Sequence, residues 1–214
     1  MKQQKIRISA PGKIILLGEH AVVYGKPAII AAVNKRCFVE LTARSDKKII
    51  ISGRNNEFSI ETDLKQIADK FNKAQKDWDI VNRTNDTKLL KLITKDLIDY
   101  PQIIIGEFLN YFKAFNEVSG FELSIDIEIP IGSGMGSSAA LAVSIIGALL
   151  CLKNEKFDKK IINEIAFLAE QKKHGFPSGG DNTACCYGGL ILFHREAAES
   201  KIFSQIPVTI SPNI

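Results

Sequence analysis

Pro130-Ile131-Gly132-Ser133-Gly134-Met135-Gly136-Ser137-Ser138-Ala139 joins an alternating run, residues 121–129, to an apolar run, residues 139–152, within a helix expected over 139–153. The first has the two-residue period of a half-buried strand. The second is apolar on every side, which predicts a helix buried all round. Residues 139–152 fall short of the roughly 20 needed to cross a bilayer, so a core helix is expected rather than a membrane span. A strand, glycines at 132, 134 and 136, and Ser137-Ser138 opening a helix form a phosphate-binding arrangement. Glycines let backbone N–H groups approach phosphate oxygens, and the helix N-terminus adds unpaired donors and a partial positive charge. No acidic residue lies in the loop. It lacks the lysine of GxxxxGK[ST], and its GxGxG spacing is not the dinucleotide fingerprint GxGxxG, so a third kind of nucleotide site is needed. Taken alone, such a turn is also compatible with a purely structural helix cap.

Upstream, residues 102–118 carry Ile105, Phe108, Leu109, Phe112 and Phe115 on one face, a helix with Gly120 at its C-cap. Residues 64–99 are polar and charged with apolar residues at helical spacing, and read as a surface helical insertion. The first sixty residues hold short β-like runs at 6–8, 14–17, 28–33, 37–42, 48–52 and 58–61, punctuated by turns such as Pro11-Gly12, which predicts a mixed or antiparallel sheet. Downstream come a second helix, 158–173, a polar turn, 174–181, the pair Gly188-Gly189 and a strand, 190–194. The expected class is α+β.

Composition narrows function by exclusion. Lys and Arg number 28 against 24 Asp and Glu, a net charge of +4 that is too mild and dispersed to argue for nucleic acid. The four cysteines, Cys37, Cys151, Cys185 and Cys186, show no CxxC pair and no spacing that suits zinc. They read as reduced thiols, and with a polar N-terminus unlike a signal peptide they predict a cytoplasmic protein with no membrane partner. No residue pattern sets the oligomeric state, and a homodimer is compatible with it.

Glu170 and Asp181 flank the turn His174-Gly175-Phe176-Pro177-Ser178-Gly179-Gly180. Phosphoryl transfer needs oxygen ligands for Mg²⁺ and a group that orients the attacking hydroxyl, and these two carboxylates could supply both. In isolation Asp181 reads more readily as a helix N-cap for the following segment. Near the N-terminus, Lys13 lies between two β runs, with Glu19-His20 in a turn soon after. A cation for the transition state and polar substrate contacts are the functional reading, and a turn lysine with a satisfied histidine the bland one.

Together these segments resemble the GHMP superfamily of small-molecule kinases: APGKIILLGEHAVVYG at 10–25, PIGSGMGSSAA at 130–140 and EQKKHGFPSGGDN at 170–182. Galactokinase-like members carry an arginine-containing variant of the first motif and fit less well. The resemblance implies a fold similar to domain 2 of ribosomal protein S5 for residues 1–195, with 196–214 starting a ferredoxin-like C-terminal domain whose own glycine-rich motif is absent. The strand-like 203–210 would then lack partners. It further implies ATP held by Pro130 to Ala139, Mg²⁺ held by Ser138 and Glu170, and catalysis by Asp181 with Lys13 beside it. Glu19, His20, Ser178 and Gly179 would line the site of a small alcohol that receives the phosphoryl group.

Overall fold

β2, Ala28–Ala43, is the strand around which the sheet assembles. The computed structural model describes residues 5–54, 57–115, 118–195 and 201–207. β1, Lys5–Leu17, runs antiparallel along one edge of β2. The other edge is shared: β5, Phe121–Ile127, pairs with the C-terminal half of β2, and β6, Leu190–Arg195, with its N-terminal end. β3, Lys48–Gly53, lies parallel to β5 and is bordered by β4, Ser59–Asp63. β7, Lys201–Ile206, borders β6. The sheet is mixed, as the sequence predicts.

One expected turn is absent, and two expected β runs form one strand. β1 runs straight through Pro11-Gly12, and β2 joins the separate runs 28–33 and 37–42. Among the described residues β1 pairs only with β2, an edge position where proline is tolerated, and a register shift falls between Pro11 and Gly12. That shift reverses the in–out alternation. Ile6 and Ala10 are buried before it, whereas Lys13 is buried after it and Ile14 is exposed.

Among the described residues six α-helices cover one face of the sheet: α1, Leu64–Thr84; α2, Leu90–Ile93; α3, Asp99–Tyr111; α4, Ser137–Leu152; α5, Lys159–His174; and α6, Gly180–Tyr187. α4 lies against β1 and β2, with α3, α5 and α6 around it. Every residue from 139 to 150 is buried, which is why its sequence shows no polar face. Among the described residues no helix is long and apolar enough to cross a membrane.

The 64–99 insertion is helical but not merely superficial. α1 starts at Asp63, whose carboxylate accepts from the Gln66 N–H at 2.8 Å. It buries Ile67, Phe71, Ala74, Trp78 and Val81. Trp78 and Val81 join Leu90, Ile93 and Ile103 in a small core of their own.

α3 stops short of residue 118, and Lys113 beyond it takes a left-handed φ of 53°. Gly120 is therefore not its cap. A Cβ there would lie 2.2 Å from the Lys48 carbonyl, so Gly120 is a close approach of two chain segments. α6 is not evident in the sequence, because Thr183, Cys185 and Cys186 are poor helix formers. It is held by burial and by the Thr183 hydroxyl, which donates to the Gly179 carbonyl at 2.6 Å. Residues 201–206 do have a partner, since Phe203 sits opposite Phe193 and Ile202 opposite His194. Residues 208–210 lie outside the described residues. All four cysteines are free thiols.

Candidate active site

The bulge in β1 is what delivers Lys13. With the alternation reversed, its side chain points to the helix-covered face, only 5% exposed. Its N–H donates to the Met135 carbonyl at 2.9 Å, tying β1 to the glycine loop. Its Nζ lies 3.0 Å from Oδ1 of Asp181, which stands in the first turn of α6. Gly179 turns into that helix with φ 89°, and the Ser178 hydroxyl accepts from the Gly180 N–H at 3.1 Å. These two residues fix the direction of the short helix, and so of Asp181.

Gly132, Gly134 and Gly136 have φ of 78°, 74° and 70°. A Cβ on Gly132 or Gly134 would meet nothing within 4 Å, so open space lies over that part of the loop. On Gly136 it would lie 2.9 Å from Cγ of Lys13. The helical ladder of α4 begins with Ala140 donating to the Gly136 carbonyl at 2.9 Å. The preceding N–H groups, from Ser137 to Ala139, have no partner within the helix and present donors at its positive end. This geometry separates two glycines. Gly134→Ala should add only the strain of a left-handed alanine, about 1–2 kcal/mol. Gly136→Ala carries that strain and also displaces Lys13, so it should lower turnover well beyond Gly134→Ala when both are assayed at saturating nucleotide.

Glu170 occupies the last turn of α5 and is buried. Its carboxylate accepts from the Tyr100 hydroxyl, and from Ser138 Oγ at 3.2 Å. His174, one turn further on, places Nε2 3.1 Å from Ser138 Oγ and 3.7 Å from the same carboxylate. Burial pushes the Glu170 carboxyl above the usual carboxylate range, against the opposing pull of His174 and the Tyr100 and Ser138 hydrogen bonds. Burial also holds the Tyr100 phenol far above its ordinary value, so it remains a donor.

Beside Ser137 and Ser138 opens a cavity of about 310 Å³ with an apolar wall that includes Phe58, Ile125, Ile127 and Leu141. Arg54 and Lys173 stand at its rim of polar groups.

The structure thus joins Lys13 to Asp181 and Ser138 to Glu170, and sets both pairs at the glycine loop. It does not bring Glu19 and His20 into that constellation. Both are exposed on the turn after β1, with Leu17 and Tyr24 exposed beside them. Tyr100 and His174 are parts of the site that sequence reasoning missed. The Glu170–His174 spacing of four on one helix was a usable signal. Tyr100, 70 residues from its partner, offered none.

A glycine loop at a helix N-terminus, facing a lysine–aspartate pair and a buried glutamate, on a mixed sheet with helices on one face, defines a class. Residues 102–189 match the family model for the GHMP kinases N terminal domain, and the chain carries that domain. Among the members of the class that it resembles are mevalonate kinases. The mevalonate kinase of Pyrococcus furiosus is 32% identical over 218 residues, covering 96% of this chain and 57% of that enzyme. The crystal structure of Methanococcus jannaschii mevalonate kinase superposes with a TM-score of 0.75 at 24% identity, over 97% of this chain and 57% of that one. The L. major mevalonate kinase solved in complex with R-mevalonate gives 0.62 at 26% identity, over 95% and 53%. This chain therefore spans little more than half the length of the relatives it matches.

Proposed function

We propose that this chain supplies the ATP site and the catalytic residues of a mevalonate kinase, which moves the γ-phosphoryl group of ATP to the primary hydroxyl of mevalonate and yields 5-phosphomevalonate. The observation that carries the reading is the Lys13–Asp181 pair, held at 3.0 Å beside the glycine loop. The backbone donors of residues 132–139 receive the phosphates, and the cavity next to Ser137 has the volume and apolar wall to take a base. Asp181, more exposed than its partner, accepts a hydrogen bond from the acceptor hydroxyl and aims it at the phosphorus. Phosphoryl transfer through a loose transition state asks little of a base, so orientation is the larger part of this role. Lys13, desolvated and fixed, stabilises the charge that develops on the transferred group.

Ser138 Oγ and the Glu170 carboxylate are hard oxygen donors 3.2 Å apart, a set that fits Mg²⁺. Mg²⁺ usually takes most of its ligands from phosphate and water, so two protein oxygens suffice. When bound, Mg²⁺ offsets the phosphate charge during transfer.

The acceptor is tested by competition. Product analysis with Mg-ATP should show phosphorylated mevalonate in a mixture of mevalonate with other small alcohols, and a clear preference for another alcohol would replace mevalonate in this reading. The exposure of Glu19, His20 and Tyr24 favours a second reading, in which the chain binds nucleotide at its glycine loop while the acceptor side stays too open for turnover. Nucleotide binding without any acceptor-dependent product would select it.

A further inference from the structure

The glycine loop brings no cation of its own: no residue from Pro130 to Ala139 is basic. Backbone donors and a helix end alone face a strongly charged polyphosphate, whereas a charge-assisted contact is roughly twice as strong as a neutral one. The basic groups around the loop are mostly committed. Lys13 is paired with Asp181 at 3.0 Å, and Arg54 with Asp126 at 2.9 Å. Lys172 is buried against Glu107, and His174 sits on Ser138.

Lys173 differs from all of these. It follows Lys172 on α5, so its side chain leaves the helix about 100° further round, toward the cavity rather than the core. It lines the same cavity as Ser137 and Ser138. Its ammonium lies 4.3 Å from the centre of the Tyr100 ring, and the Tyr100 hydroxyl is anchored on Glu170. Among the described residues no carboxylate comes within ion-pair distance of it, the Glu170 charge acting on it from further away. An aromatic face positions a cation without neutralising it. A partly buried ammonium held in this way gains most from an anion that enters the cavity.

We propose that Lys173 is the phosphate-binding cation of this site, contacting the polyphosphate of the bound nucleotide from the side opposite the glycine loop. The assignment rests on the nucleotide site described under Proposed function. It gives the site the positive charge that a P-loop carries within its own motif, here supplied from the end of a distant helix.

The test compares ADP with adenosine, which differ only in the phosphates. Both are titrated calorimetrically into the 214-residue chain and into its Lys173→Met and Lys173→Arg variants. Methionine keeps a long apolar stem against Tyr100 while removing the charge. Lys173→Met should weaken ADP by about tenfold or more and leave adenosine unchanged, and Lys173→Arg should keep most of the ADP affinity. Equal losses for both ligands would mark a packing role and overturn the proposal, as would no loss for either. If the unsubstituted chain bound neither, the nucleotide reading itself would fall. That failure is visible before any variant is compared.

Discussion

Asp181→Asn should lower phosphoryl transfer by a factor on the order of 10²–10⁴ while ADP binds almost as tightly as before. Asparagine keeps the shape of the side chain but loses its charge, so the acceptor hydroxyl is no longer oriented by a carboxylate. In the proposed site the nucleotide is held by other groups: the loop N–H donors, the cavity wall, Ser138 and Lys173. The same substitution leaves the buried Lys13 ammonium without its partner, which has a stability cost of its own. A thermal melt must therefore accompany the kinetics. Loss of ADP binding together with turnover, in a protein that still melts cooperatively near the parent temperature, would mean that Asp181 has been given the wrong role.

The second large effect is on stability and lies behind the site. Lys172 and Glu107 form an ion pair between α5 and α3, with both side chains almost wholly buried. The Lys172 ammonium also stands 5.6 Å from the Phe71 ring of α1, so three helices meet at this point. Burial pushes the Glu107 carboxyl up, opposed by Lys172. Removing one partner strands the other charge in the core, and Lys172→Met alone should cost about 3–5 kcal/mol. For a chain of this length that is a fall in Tm of about 10 °C. Combining Lys172→Met with Glu107→Leu should restore most of the loss or exceed it, because well-packed apolar side chains replace such pairs at little cost. Differential scanning calorimetry of the two single variants and the double reads this directly. A double variant no more stable than the worse single one would show that the pair contributes more than charge balance.

The contrast between Lys172 and Lys173 shows what a sequence can and cannot reveal. Nothing in the linear sequence separates these two neighbouring lysines, yet one is buried against a glutamate 65 positions away and the other lines a cavity. The glycine loop was legible because everything it needs is local: an alternating strand, three glycines and a helix too apolar for the surface. Glu170 and Asp181 were legible for the same reason, since one short turn separates them. Lys13 was legible as a chemical candidate but not in its geometry. Pro11-Gly12 has the composition of a turn, and only pairing along β2 shows a bulge in an edge strand that rotates Lys13 inward. Tyr100 and Gly120 act through partners remote in sequence, Glu170 and the backbone at Asp46 and Lys48, so no window around either could signal its role. α6 escaped because burial, rather than propensity, makes it a helix.

The measurement that most directly tests the central claim is coupled ADP release by the 214-residue chain with Mg-ATP, run with and without mevalonate. The account predicts release that depends on mevalonate and is lost in Asp181→Asn. Release at the same rate with and without mevalonate, or a mevalonate-dependent rate that Asp181→Asn leaves intact, would contradict it.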